Sequence, residues 1–503
     1  MELCQEMYDC PLNRRRFLRG MLAAAAIGPS VLAQDAAPFT LVVGENPLHP
    51  PVPHDFIGLS YEAMQLEDPA FFSSKNLSLI EQFRLISRHG VLRLGGNTSE
   101  FSWWKENDSD AAPVRKTMPQ NDGEPDPNTL FAITPVAIRE LKGFLDATGW
   151  TCIYGLNLGY GTPEKDVREA LYVHKTLGDR LQYFQVGNEV DLFWRHLRDP
   201  HTWNVKTYLE NWLNIVRAVQ GAIPRARFGM PDVASDVTWL PKIAELWEHV
   251  EDKANVVTLS HHYYFGGPPA SPDVNIERLL RSDPKVEQYA NITKPAADKM
   301  GVGLRMTEGN TCYQGGKPGV SDVFASALWG AEYALTLMQF GYSGVNLHGG
   351  SGHAVAVSVG GLLRGEKLMA NPNLPHAKPF YTPIARDESE QTNQYRIQPV
   401  GHGLRFAGYF AGCQLLPASL TDTPRGTTVF AGRNPDGKKR IAILNKKPEA
   451  LDVRLPPHRF VAMLTGASLT GSKAELKTVD VASKIESYSV RNIPAYTALL
   501  VEI

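Results

Sequence analysis

Eight short apolar runs alternate with amphipathic stretches, and this alternation most constrains what the chain can fold into. The runs are Phe56–Glu62, Val91–Gly96, Cys152–Leu158, Leu181–Glu189, Arg227–Pro231, Val256–Tyr264, Gly303–Glu308 and Gly344–His348. Between them, stretches such as Pro135–Thr148, Tyr208–Ile223, Leu240–Val250, Val286–Met300 and Asp322–Phe340 carry apolar residues at three- and four-residue spacing. That spacing suits a helix laying one face on a sheet. Eight strands, each followed by a helix or a long loop, predict an α/β fold of the (β/α)8 TIM-barrel type rather than a doubly wound sheet. No Gly-x-Gly-x-x-Gly follows the first run, which argues against dinucleotide binding.

Near residue 415 the pattern changes. Thr427–Arg433, Arg440–Asn445, Leu451–Leu455, Phe460–Leu464 and Ala495–Glu502 are short alternating segments, and the turn Asn434-Pro435-Asp436-Gly437 joins the first two. With no long helix between them, they predict a C-terminal antiparallel β-sandwich over 413–503. Phe39–Val43, within 38–49, is expected to add a strand to it, and the barrel to occupy 50–412. Segments 105–128 and 352–378 are polar or rich in glycine and proline, and they read as loops near the barrel mouth.

The amino terminus reads differently. Arg14-Arg15-Arg16-Phe17-Leu18 leads into an alanine-rich run and Val31-Leu32-Ala33. This is the pattern of a twin-arginine-type signal peptide over 1–33, so export to the periplasm or beyond is expected. An uncleaved basic helix is the alternative. Cleavage after Ala33 would leave Cys152, Cys312 and Cys413, too few for a disulfide framework. The remainder excludes other classes. The 51 basic and 53 acidic side chains nearly cancel, and no basic run lies beyond the first twenty residues, which argues against a nucleic-acid partner. Past residue 33 no stretch stays apolar for the roughly 20 residues of a membrane span.

Chemistry in such a barrel sits where strands end. Gln185-Val186-Gly187-Asn188-Glu189 closes the fourth run and Arg305-Met306-Thr307-Glu308 the seventh, so both glutamates are expected in one cleft. Two carboxylates are what glycoside hydrolysis needs, one to protonate the leaving oxygen and one to attack the sugar carbon. Two structural glutamates in salt bridges are the alternative. His261-His262 invites a metal reading, but neighbours on a strand point to opposite faces, so no metal is expected. The mechanism calls for no cofactor.

Asn188-Glu189 and Glu308 resemble the retaining hydrolases of glycosidase clan A. Three further segments resemble glycoside hydrolase family 79, which holds heparanase and bacterial β-glucuronidases. They are Leu92-Arg93-Leu94-Gly95-Gly96-Asn97-Thr98, His261-His262-Tyr263-Tyr264, and Glu308 with Tyr313, Gly315, Gly316, Ser321 and Asp322. The resemblance implies Glu189 as acid/base and Glu308 as nucleophile, with Asn188 on the sugar 2-hydroxyl. It implies that His262 and Tyr264 orient the nucleophile or the sugar. Tyr313, Gly315 and Gly316 would meet the C6 carboxylate of a glucuronic acid, where backbone N–H groups and a hydroxyl replace an arginine. Tyr381 resembles a later tyrosine that also meets that carboxylate. Glu62 and Asn97 would bind hydroxyls. Trp103 and Trp104 suit sugar stacking or a core role, and Glu332 reads as structural.

The implied activity is retaining exo-β-glucuronidase action on glycans or glycoconjugates bearing glucuronic acid. Alternatives are a heparanase-like endo-enzyme, a clan relative for neutral sugars such as arabinofuranose, and a non-catalytic carbohydrate-binding barrel. An endo-enzyme for sulfated chains should line its cleft with cations. Here only scattered ones are expected, such as Lys105, Lys317, Arg364 and Lys367.

Overall fold

In the computed structural model, which describes residues 37–113, 130–195, 197–359, 379–387, 394–478, 486–487 and 489–503, the eight runs form eight strands. They are β1 (Ile57–Glu62), β2 (Val91–Gly95), β3 (Thr151–Leu156), β4 (Leu181–Val186), β5 (Phe228–Val233), β6 (Val256–Tyr264), β7 (Gly303–Asn310) and β8 (Gly344–Gly349). All pair in parallel, and β8 pairs back onto β1 to close the barrel. The expected (β/α)8 fold is therefore present. The twin-arginine-type segment, Arg364 and Lys367 lie outside the described residues.

Strand period decides which side chains see the barrel interior. In β2, Leu92 and Leu94 join the large apolar core shared with the helices, whereas Val91 packs inside with Ile153 and Tyr183. Arg93 has the same parity as Val91, so it too points inward, where it is 0 % exposed. The interior near it is polar: Gln185 Nε2 donates to Ser260 at 3.2 Å and Arg305 Nε to Asn346 at 2.7 Å. Helix ends follow their sequence signals. Thr134 caps Pro135–Thr148 by accepting from the Ala137 N–H, proline occupies the first turn, and Gly149 closes the helix at φ 81°.

The second half forms two sheets. One has six strands in the order Gln414–Leu416, Thr427–Arg433, Lys439–Asn445, Thr497–Glu502, Arg459–Thr465, Glu475–Thr478. The other runs Ala418–Leu420, Phe39–Val43, Leu451–Leu455, Ser489–Ile493. Phe39–Val43 pairs in parallel with Leu451–Leu455, a departure from an all-antiparallel sandwich. Alternation explains the packing. Val429, Ala431, Ile441 and Ile443 fill the core between the sheets, while Phe430, Ala442 and Leu444 face the opposite way and join the barrel's core.

One expected loop is corrected. Gly352–Val359, at the start of 352–378, is helical: Ser351 Oγ accepts from the Ala354 N–H, and Ala354 packs with Met64, Phe101 and Phe131. Eight residues are too few for periodicity to declare itself. Among the described residues, no helix is long and apolar enough to cross a membrane.

Candidate active site

β4 ends at Val186, short of the expected Glu189, because Gly187 turns the chain at φ 90°. A Cβ there would meet Val190 Cγ1 at 2.8 Å, so glycine is required. Glu189 follows at φ 50°, its N–H donating to the Asp232 carbonyl at 2.8 Å. In β7 the register against β6 slips between Met306 and Glu308, a bulge that re-aims the next side chain. Together these bends bring a carboxylate oxygen of Glu189, one of Glu308 and a ring nitrogen of His262 within 4.8 Å of one another.

Arg93 lies beneath them. Its Nη1 donates to Glu308 Oε2 and to Ser60 Oγ, each at 2.8 Å. Its Nη2 donates to Asn188 Oδ1 at 2.7 Å and to Asp232 Oδ2 at 2.5 Å. One guanidinium thus sets the positions of three strand ends. The other Glu308 oxygen accepts from the Tyr264 hydroxyl at 2.8 Å.

His262, 0 % exposed, stands between Asp232 Oδ2 (3.2 Å from Nε2) and Glu189 Oε1 (3.3 Å from Nδ1). Burial opposes its charge, but the Asp232 and Glu308 carboxylates outweigh this and push its pKa up to about 10. Burial would likewise raise Asp232, yet the Arg93 and His262 cations hold it well below the usual carboxylate range. His261 faces the other way, its Nε2 2.7 Å from the Tyr342 hydroxyl, and burial lowers it to about 4. Glu189, His262 and Glu308 have the donor types of a metal site. In the present arrangement both ring nitrogens of His262 face carboxylates.

Tyrosines wall the far side. Tyr264 stacks on Tyr381 (centroids 6.3 Å, 20°) and meets Tyr313 edge-on at 6.3 Å. Burial first, and then the Glu308 carboxylate, keep the Tyr264 and Tyr381 hydroxyls protonated and so able to donate. Gln314, Gly315 and Gly316 all hold left-handed backbones, at φ 58°, 83° and 84°. The Tyr381 N–H donates to the Gly315 carbonyl at 3.3 Å, and a Cβ on Gly316 would lie 2.8 Å from the Tyr381 nitrogen. The turn and Tyr381 are therefore one packed unit.

Two expected residues lie deeper or to the side. Glu62 is 1 % exposed: its Oε2 accepts from the Thr98 N–H (2.9 Å) and hydroxyl (2.8 Å), and its Oε1 lies 3.3 Å from His348 Nε2. A Cβ on Gly96 would sit 2.4 Å from that Oε2, which is why glycine precedes Asn97. Asn97 Nδ2 donates to Ser358 Oγ at 3.1 Å. Trp104 is buried against Tyr172 on the barrel flank, and Glu332 pairs with Lys446.

Sequence reasoning missed Asp232, His348 and Glu100, and met Arg93 only as part of a longer segment. Arg93, Asp232 and His348 each left a trace, a charged or imidazole group inside an apolar strand, whereas Glu100 lies in the 3-10 helix Asn97–Phe101 and left none. His348, closing β8, has Nδ1 3.6 Å from Glu308 Oε2 and 3.0 Å from Ser60 Oγ. Glu100 accepts from the Asn188 N–H at 2.7 Å and the Gly159 N–H at 2.6 Å.

No protein-family model matches the chain. It is 25 % identical over 383 residues to a β-glucuronidase of Aspergillus niger, covering 69 % of this chain and 68 % of that one. It is also 25 % identical over 372 residues to a β-glucuronidase of Neurospora crassa, covering 67 % and 64 %. The chain thus spans about two thirds of the length of these relatives. Among solved structures, a 4-O-α-L-rhamnosyl-β-D-glucuronidase from Fusarium oxysporum superposes at TM-score 0.68 and 16 % identity, covering 92 % of this chain and all of that one. A GH51 arabinofuranosidase from Xanthomonas axonopodis superposes at 0.61 and 15 %, covering 92 % and 99 %. By fold, a closed TIM barrel with an attached β-sandwich, the chain stands with glycosidases of known structure.

Proposed function

We propose that the protein is a retaining exo-β-glucuronidase of the family 79 kind, with Glu308 as nucleophile and Glu189 as acid/base. The observation that carries this is that one oxygen of each carboxylate lies within 4.8 Å of the other. Retaining glycosidases hold their pair about 5–5.5 Å apart, and inverting ones leave about 6.5–9.5 Å for a water. The two curated β-glucuronidase relatives support the choice of sugar.

Glu308 attacks the anomeric carbon while Glu189 gives its proton to the departing oxygen. The His262 imidazolium meets the carboxylate that Glu189 then becomes. Glu189 next takes a proton from water, whose oxygen displaces Glu308 from the anomeric carbon. Because Asn188 Oδ1 accepts from Arg93, its amide NH2 is left to donate to the sugar 2-hydroxyl. Tyr313, the Gly315-Gly316 turn and Tyr381 are assigned to the C6 carboxylate.

Exo action is favoured by the scarcity of free cations at the mouth among the described residues, where Arg195 stands apart from the rest. Lys317 Nζ is spent on the Ser271 and Val274 carbonyls, and Lys105 pairs with Asp108 at 3.9 Å. Export through residues 1–33 belongs to the same proposal. The test is side-by-side hydrolysis of p-nitrophenyl β-D-glucuronide, β-D-glucoside, β-D-xyloside and α-L-arabinofuranoside. A strong preference for the glucuronide is expected. Turnover of a neutral sugar instead would remove the carboxylate role of Tyr313 and its turn.

A further inference from the structure

The leaving group departs from the Glu189 side, because Glu189 protonates its oxygen. The segment directly after Glu189 in the chain therefore borders it. That segment is a 3-10 helix, Val190–Arg195. It is anchored at several points. The Asp191 carboxylate accepts from the N–H groups of Ala234 (2.7 Å), Ser235 (3.1 Å) and Asp236 (3.0 Å). The Trp203 indole N–H donates to the Val190 carbonyl at 2.7 Å, and the buried Phe193 stacks on Trp203 at 5.6 Å.

From this fixed support two side chains project outward. Trp194 is 43 % exposed, and the exposed Arg195 sets its guanidinium 5.2 Å from the indole centroid. Trp194 and Tyr313 (38 % exposed) are the exposed large aromatics among the described residues, and both belong to barrel-mouth segments that follow a catalytic-strand glutamate. The Arg195 charge reaches the Tyr313 hydroxyl and opposes the effect of its burial, so the arginine lies toward the cleft. Among the described residues, no carboxylate pairs with Arg195, whereas Arg168 pairs with Glu106 and Asp110, and Arg180 with Asp146.

An exposed indole carried on an anchored backbone beside the departure path suits a flat ring, and a guanidinium with no carboxylate partner among the described residues suits an anion. We propose that Trp194 and Arg195 form the leaving-group subsite, selecting β-glucuronides whose aglycone is a ring bearing an anionic substituent, such as a carboxylate or a sulfate. This rests on the glucuronidase reading above and adds the chemistry of the group released.

The test compares 4-carboxyphenyl β-D-glucuronide with its neutral isostere, 4-carbamoylphenyl β-D-glucuronide, on the full-length protein. The wild type should favour the anion in kcat/KM. Arg195→Gln should cut the anionic-to-neutral ratio of kcat/KM about fivefold, because an exposed ion pair contributes modestly. Raised salt should erode the preference in the wild type only. Trp194→Ala should raise KM for both substrates with little change in kcat. A sulfated-aryl glucuronide run alongside distinguishes the two anion types. Equal turnover of both carboxyphenyl and carbamoylphenyl substrates by wild type and Arg195→Gln would overturn the subsite while leaving the glucuronidase reading intact. Turnover of neither, with a neutral-sugar glycoside cleaved instead, would overturn that reading and this one together.

Discussion

Glu189 and Asp232, at the ends of neighbouring strands, both hold left-handed backbones, at φ 50° and 60°, and are joined by the Glu189 N–H donating to the Asp232 carbonyl at 2.8 Å. Non-glycine residues adopt this region only when their surroundings compel it. Here the compulsion is electrostatic as well as steric. Asp232 sits where the register of β5 slips, and its carboxylate is gripped by Arg93, His262 and Thr307. Glu189 is thereby turned toward Glu308 on a backbone that has little freedom to relax.

Glu308→Gln should lower kcat/KM for p-nitrophenyl glucuronide by at least about a thousandfold and abolish any burst of nitrophenol, since the covalent step is lost. Glu189→Gln should slow alkyl glucuronides by about 100- to 10,000-fold, the usual worth of a general acid, and aryl ones with good leaving groups far less. Equal losses on both leaving groups would count against the acid role.

His262 links pH to stability. Its folded pKa, about 10, exceeds the ordinary value of 6.5. Its contribution is therefore complete below pH 6.5 and disappears as pH rises through about 10. The gap in Tm between wild type and His262→Gln should be wide at pH 6 and should narrow steadily toward pH 10, as calorimetry can measure.

Glu169 has the same sign in a lower window. It accepts from the Tyr154 hydroxyl at 2.6 Å, and burial pushes its carboxyl up from 4.5 to about 7. The folded state holds the proton better, so stability is full below pH 4.5 and falls as pH rises through about 7. Glu169→Gln, neutral at every pH, should match the wild type near pH 4.5 and exceed it at pH 8 by up to about 3 kcal/mol. Urea unfolding at the two pH values measures this.

Arg93→Met should be costly. It takes the Arg93 cation from the buried carboxylates of Asp232 and Glu308, and removing one partner of such a pair costs about 3–5 kcal/mol. The denaturation midpoint should fall accordingly, and activity should fall with it, because Glu308 and Asn188 lose a shared anchor.

Tyr313→Phe tests the carboxylate assignment. Losing one hydrogen bond to a charged group should reduce the glucuronide-to-glucoside ratio in kcat/KM about tenfold. An unchanged ratio would assign the C6 contact elsewhere.

The pattern of the chain by itself determined the barrel and the sandwich, because these rest on periodicity, and it singled out Glu189 and Glu308 as the pair proposed for catalysis because both close barrel runs. Alternation puts Leu92 and Leu94 on one face of β2, opposite Val91 and Arg93. Helix stops such as Gly149 announce themselves through backbone chemistry. What only the tertiary structure decided is the company each charge keeps. Arg93, Asp232 and His348 are far apart in sequence and look like isolated polar residues in apolar strands, yet closing the barrel puts them around Glu308 and His262. The bends that aim Glu189 and Glu308 were equally hidden, since a left-handed φ or a bulge arises from the packing of neighbouring strands. Electrostatics at a site depends on distances between strands, and those exist only once the barrel has closed.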